Sequence, residues 1–490
     1  MGMAMDMAMT VKISGRVAPT VLGLISSVIS VCALAGDWTI VPRVEMKGTY
    51  SDNIGLSASG LEREEFVTSV SPGLFVRGEG SRLEFSLEYN LEALRYADDS
   101  NSNTINHQAQ ASATAEVYKD IGFVDFALTR SQQNSNSSGV TSSDNLATTG
   151  NSSDVLTFSA SPYLRHRFGE YADTESRLTI DRVVNDNNGI STRSDSRTSS
   201  LQITSGSHFS RAPWSLNFSN QNIDNSNGST TQLRSAKSEV RYRVTRQYGA
   251  LARFGIEKNE FASAQSGRDG VSWSVGGTWT PSVRTSIEAG YGQRFFDQNF
   301  FLEATHRTRR FRFAASYSED VTTSRALQLE RVLVPLDDAL GNAIVDPTTG
   351  TQIEIPVDSV NSTDDVLVVA DFSGQITYTG RRTDATLSLT SSERTSEVSQ
   401  QNNLVNRVQL DIQRRLSRKG TLFVSASAQQ TETNAGAQRD TRLRGQVRYS
   451  HQFGVNFRGS VGLTRVQQDS TSASNEFDEN RLTAGVVATF

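Results

Sequence analysis

From Val41 to Phe490 the chain repeats one pattern, in which segments of about ten to fifteen residues alternate apolar and polar side chains. Leu83, Phe85, Leu87, Tyr89 and Leu91 alternate with Arg82, Glu84, Ser86, Glu88 and Asn90. Val283, Thr285, Ile287, Ala289 and Tyr291 alternate with Arg284, Ser286, Glu288 and Gly290, and Leu443, Gly445, Val447 and Tyr449 with Arg442, Arg444, Gln446 and Arg448. A period of two places one row on each face of a strand. No convincing helical periodicity follows Leu34, so a helical or α/β architecture is excluded.

The connections alternate in length as regularly as the residues alternate in polarity. Short turns near Gly78–Ser81, Tyr118–Ile121, Phe168–Tyr171, Ser417–Gly420 and His451–Gly454 are separated by longer polar loops such as 51–64, 132–153, 185–195 and 319–364. A sandwich has no reason to alternate in this way, whereas an outer-membrane β-barrel has short turns at one end and long loops at the other. The pattern predicts a single antiparallel transmembrane barrel of about 22 strands, and at least about 16, over residues 36–490. Only 36% of residues are hydrophobic, and mean hydropathy is -0.41. That suits a barrel in which half of each strand faces water.

The two ends fit the same reading. Lys12 and Arg16 precede an apolar run from Val17 to Leu34 that ends in Ala33-Leu34-Ala35. This predicts a signal peptide over residues 1–35, leaving roughly 455 residues after cleavage. Pro19, Gly23 and several serines in the run disfavour a spanning helix, and Val31 before Cys32 disfavours a lipoprotein signal. The Met-rich opening leaves the true start open. Cys32 is the single cysteine, so the mature chain is expected to have no thiol or disulfide chemistry. The last segment carries Leu482, Ala484, Val486, Ala488 and Phe490 on one face. It resembles the terminal signal read by the outer-membrane barrel assembly machinery, with Phe490 as its key residue. Strands begin within a few residues of the leader, which leaves no room for the N-terminal plug of a TonB-dependent receptor.

Tyr118, Phe168, Tyr171, Phe209, Trp214, Tyr248, Trp279 and Phe453 cluster beside the short turns, as an aromatic girdle against outer-membrane lipid would. The net charge of -5 removes the leading argument for a nucleic-acid partner. Catalytic signals are poor. The five histidines, His107, His166, His208, His306 and His451, sit on different hairpins, and no known nucleophile, metal or phosphate motif is present. No cofactor or metal site is expected. Asp186-Asn187-Asn188-Gly189 lacks the spacing of a calcium loop and reads as a plain turn.

The arginines are more informative. Arg82, Arg177, Arg241, Arg243, Arg253, Arg284, Arg310, Arg312, Arg442, Arg444, Arg448 and Arg458 are expected to line the lumen. Glu84, Glu88, Glu239, Glu257, Glu288 and Asp411 share that face. Such a wall either guides an anionic or polar polymer or is a salt-bridged brace, and both readings stay open. The 319–364 loop, with its apolar Leu327–Leu336 stretch, is a constriction or lid if it folds inward and a partner surface if it projects outward. The 132–153 loop is rich in Ser, Asn and Thr, is expected to have no apolar anchor and is expected to be mobile.

Trp38 and Pro42 precede Tyr50-Ser51-Asp52-Asn53-Ile54, then Phe66-Val67-Thr68 and Ser71-Pro72-Gly73. This order resembles the outer-membrane β-barrel family associated with the PEP-CTERM/exosortase system, found among exopolysaccharide export genes of Gram-negative bacteria. The resemblance covers roughly the first quarter of the mature chain. It implies a barrel that is a conduit or accessory channel for exopolysaccharide or another surface polymer, working with polysaccharide-export components. It brings no catalytic residue. The alternatives are a non-transporting anchor that displays its loops to partners and an outer-membrane hydrolase. Trp38 and Pro42 are expected at the barrel seam, and Ser71-Pro72-Gly73 is expected to bulge and bend the second strand.

Overall fold

The computed structural model describes residues 36–135, 140–142, 144–187, 190–261, 269–294, 298–329, 334–335, 354–355, 365–434 and 436–490. The expected signal peptide lies outside them, as do Asn188-Gly189 and most of the 319–364 loop. Twenty-two strands form one sheet. They are β1 (Gly36–Ser51), β2 (Glu65–Gly80), β3 (Leu83–Tyr96), β4 (Thr104–Tyr118), β5 (Gly122–Asn134), β6 (Ser152–Phe168), β7 (Ala172–Asn187), β8 (Ile190–Ser205), β9 (Trp214–Asn225), β10 (Thr230–Arg243) and β11 (Tyr248–Glu260). The second half comprises β12 (Gly270–Ser282), β13 (Thr285–Gln293), β14 (Gln298–Arg307), β15 (Phe311–Thr323), β16 (Val366–Thr379), β17 (Thr383–Ser396), β18 (Asn402–Arg415), β19 (Gly420–Thr433), β20 (Gln438–Gln452), β21 (Phe457–Ser470) and β22 (Phe477–Thr489). One short helix, α1 (Ser324–Leu329), follows β15. Among the described residues no helix is long and apolar enough to cross a membrane.

Each strand pairs antiparallel with its chain neighbours, and β22 closes on β1 from Arg43↔Thr489 to Ser51↔Arg481. Closure leaves no edge, so the ladders satisfy the strand backbone without help from solvent. β1 pairs with β2 along its whole length, yet its seam side pairs only from Arg43 onward. Pro42 marks that boundary: it has no N–H to lose where the ladder ends, and its carbonyl accepts the Phe490 N–H at 2.9 Å. Trp38 lies over Gly78 and reaches Phe85, with ring centroids 6.0 Å apart.

The period of two sorts side chains cleanly. Arg312, Thr377, Thr386 and Asp411 stand in one cross-strand row. Thr377, Thr386 and Asp411 are buried, whereas Ile376, Leu389 and Leu410 on the opposite face are exposed. The exposed outer rows, such as Phe254, Ile256, Val275 and Val447, form an apolar surface suited to lipid. Tyr118, Phe168, Tyr171, Tyr248, Trp279 and Phe453 stand exposed beside the short turns, and Phe209 meets Trp214 at 5.9 Å.

Two local expectations are corrected. Most of the long loop expected over 185–195 is strand, because β7 and β8 pair up to Asn187↔Ile190. Polar Asn and Asp side chains there extend the strands instead of interrupting them. Ser71-Pro72-Gly73 does not bulge: β1–β2 register runs unbroken through it, and β2–β3 pairing resumes in the same register at Gly73↔Asn90. The glycine serves a side chain. A Cβ on Gly73 would lie 2.3 Å from the Asn90 Oδ1 and 2.8 Å from the Arg43 Nε. Its absence lets Arg43 cross β2 and donate to Asn90 and to Glu88, the latter at 2.8 Å.

Candidate functional site

Two long loops fold back inside the barrel at the long-loop end. Ile54, from the β1–β2 loop, packs with Val67, Leu94 and Tyr96, and Leu146 of the β5–β6 loop covers that cluster. Leu56 packs with Val466 and Phe477, covered by Val140 and Ala147. The 132–153 loop therefore has the apolar anchor that its Ser-rich sequence hid, which corrects the expectation of a free loop. Polar ties fix it further. The Tyr96 hydroxyl donates to the Leu146 carbonyl at 2.7 Å, and Asn145 Nδ2 donates to Glu92 at 2.9 Å. Asp144 pairs with Arg481, which also pairs with Glu479. The Ser51 hydroxyl completes the chain by donating to Glu479 at 2.6 Å.

This network explains the Tyr50-Ser51-Asp52-Asn53-Ile54 segment residue by residue. Tyr50 donates to Glu64, and Ser51 holds Glu479. Asp52 accepts from both the backbone and side-chain N–H of Asn480 across the seam, each at 2.7 Å. Asn53, almost fully buried, donates to the Ser57 and Asp478 carbonyls and accepts the Ser57 N–H. Ile54 enters the apolar cluster. The motif clasps the seam and folds the first loop inward.

Asp144 has a shifted acidity. Burial opposes its charging, but Arg481 and Arg444 beside it outweigh that, with help from the Leu146 N–H and the Ser142 hydroxyl, and hold its carboxyl below the usual aspartate range. Its side chain keeps 37% of its area exposed, so solvent still screens the pair.

A second inward contact comes from α1, the root of the 319–364 loop. Arg325, buried, pairs with Asp181 on β7 and reaches the Ser194 carbonyl on β8 at 3.4 Å. Strands β7 and β8 are far round the barrel from β15, so the helix reaches across the lumen. Of the apolar Leu327–Leu336 stretch, residues 330–333 and 336 lie outside the described residues, while the backbone at Val334–Pro335 pairs with Glu354–Ile355.

Of the arginines expected at the lumen, Arg177, Arg241, Arg243, Arg253, Arg312, Arg442, Arg444, Arg448 and Arg458 lie on strands in the inner rows. Arg82, Arg284 and Arg310 lie in short turns. Several of the strand arginines are neutralised by carboxylates. Arg241 and Arg253 share Glu239 and Glu288 at 2.5–2.9 Å. Arg177 bridges Asp125 and Glu175, and its guanidinium lies 3.8 Å from the Tyr163 ring centre. Arg294, which the sequence did not single out, joins Glu257 to Asp320. The histidines stay apart and contact aromatics: His166 with Phe168, His208 with Tyr171, His306 with Phe313, His451 with Phe453 and His107 with Tyr89. Among the described residues no cluster suited to a metal ion is present.

Residues 31–203 match the family model described as "Putative beta-barrel porin 2". The siderophore receptor PirA of Acinetobacter baumannii is similar in structure, with a TM-score of 0.52 at 10% identity over 92% of this chain and 80% of that one. A mutant of the ferric enterobactin receptor PfeA of Pseudomonas aeruginosa, solved with enterobactin, gives 0.52 at 9% identity over 93% and 82%. The chain has the closed-barrel fold of outer-membrane proteins, and its first part is similar to that porin family. No curated protein has a matching sequence. At these identities the likeness concerns the fold, and the inward loops and paired wall are read from this chain's own residues.

Proposed function

We propose that this barrel sits in the bacterial outer membrane and is a gated conduit, or accessory channel, for export of an exopolysaccharide or similar surface polymer. The observation that carries this reading is the set of inward segments at the long-loop end, tied to the wall through Asp144–Arg481 and Arg325–Asp181. Each tie joins an inward segment to a strand of the wall, and breaking it would free the mouth. The likeness of the Tyr50–Gly73 segment to exosortase-associated barrels supports the polymer as cargo, and export components as partners. In this reading residues 1–35 are removed as a signal peptide, and Phe490 addresses the chain to the barrel assembly machinery.

Single-channel recording of the refolded mature chain in a planar bilayer tests the reading. The expected result is small or flickering conductance in the native chain and large steady conductance after deletion of residues 325–364 combined with Asp144→Asn. A folded double variant that still passes no current would sink the conduit. It would favour a second reading, in which the barrel is a closed anchor displaying its loops. That reading draws support from the neutralised arginines of the wall.

A further inference from the structure

Several of the mid-barrel arginines described above are paired with carboxylates, but a group at the short-turn end is not. A recess of about 560 Å³ opens there between β12 and β15 and the turn before β11, lined by Arg246, Arg284, Arg307 and Arg312. None of the four has a carboxylate partner among the described residues, and no carboxylate lines the recess. Arg307 and Arg312 face each other across β14 and β15, and Ser286 and Thr305 across β13 and β14. These positions continue the inner row of Glu288 and Glu303, so they stand on the inner lip of the mouth. Neighbouring turns add Arg309-Arg310 and Arg381-Arg382, all exposed.

Like charges gathered without counter-charges gain nothing for the fold and raise a field that draws anions to the mouth. The rest of the lining fixes the kind of anion. Thr280, Ser282, Ser286 and Thr305 supply hydroxyls that both donate and accept, and His306 is the only ring in the lining. A protein-docking surface carries buried aromatic anchors. A volume in the range of small-molecule sites, lined by guanidinium and hydroxyl groups, suits a short stretch of acidic sugar instead.

We propose that this recess is a binding site for a carboxylate-bearing oligosaccharide segment, engaged at the short-turn mouth before it enters the lumen. The cargo class rests on the conduit reading, but binding is measured without transport. Trigalacturonate, maltotriose and a hexaglutamate peptide would be titrated calorimetrically into the refolded, detergent-solubilised mature barrel. The same titrations would be run on Arg307→Gln/Arg312→Gln and, as a control, on Arg165→Gln, whose arginine is already paired with Glu175. Folding of each is checked by heat-dependent migration. The expected result is saturable binding of trigalacturonate, weakened at least tenfold in the double variant, unchanged in the control and reduced by raised salt. Maltotriose should not bind. Equal binding by the double variant, binding of maltotriose at similar strength, or tighter binding of hexaglutamate with the same arginine dependence would each overturn the proposal, the last in favour of an acidic protein segment. Loss of the site with conductance retained refutes the recess alone, and binding retained in a barrel that never conducts refutes the conduit alone.

Discussion

Release of the inward β5–β6 loop is the most quantitative consequence of the structure. Asp144→Asn removes one ion pair, and Arg481 keeps Glu479, so no buried charge is orphaned in the wall. Because Asp144 is 37% exposed, the lost pair is worth about 1 kcal/mol after screening, not the several expected of a dry pair. Leu146→Ser withdraws a partly buried side chain from the Ile54–Val67–Leu94–Tyr96 cluster, at about 2 kcal/mol. The two sites are close, so their effects need not add, but about 3 kcal/mol together corresponds to roughly a 100-fold rise in the open-to-closed ratio. Hydrogen exchange across residues 144–151 reads this directly, with the expected rise confined to the loop while β1, β2 and β22 keep their protection. An increase below about threefold in a folded double variant would refute the account, since about 3 kcal/mol cannot be withdrawn from a closed loop without shifting its opening.

Three further outcomes follow. Because the folded Asp144 carboxyl titrates below its usual range, its stabilisation of the docked loop is complete above that range and is lost as pH falls through the lowered value. Protection of the loop, taken relative to the intrinsic exchange rate at each pH, should therefore fall as the solution is acidified through that lowered range in the native chain, and Asp144→Asn should abolish that acid-dependent part. Gly73→Val pushes a branched side chain into the path of Arg43 and breaks its bonds to Asn90 and Glu88, costing about 1–3 kcal/mol. It should lower the temperature at which the folded band is lost on gels, and an unchanged temperature would reject the role given to this glycine. Expression with the native leader should yield a mature chain starting after Ala35, as read by N-terminal sequencing, and an intact leader would reject the cleavage site.

Much of the architecture was legible because it depends on local rules. Alternation of Leu443, Val447 and Tyr449 with Arg442, Arg444 and Arg448 assigns the two faces of β20 whatever its partners are. Alternating connection lengths placed the two ends. Where local rules compete, reading from sequence failed. The 185–195 segment has turn-type composition, yet 185–187 and 190–195 are strand, because each of those residues finds a ladder partner. The 132–153 loop looks unanchored, because Val140, Leu146 and Ala147 are too few and too spaced to signal a core by themselves. They become one only against Ile54 and Val466.

The sequence by itself therefore determined the class of fold, the approximate strand number, the lipid and lumen rows and the aromatic rim, since each is written in a period of two or in the spacing of turns. The tertiary structure alone decided which residues meet inside the barrel. Asp52 meets Asn480, Asp144 meets Arg481 and Asp181 meets Arg325 only once the sheet has closed. No local signal joins residues so distant in the chain. The same closure separates arginines that the sequence cannot tell apart: Arg241 and Arg253 find carboxylates on neighbouring strands, while Arg307 and Arg312 face each other at the mouth with none among the described residues. Charge pairing across strands depends on register and closure, and that is why the inward ties and the arginine-lined recess appear only in three dimensions.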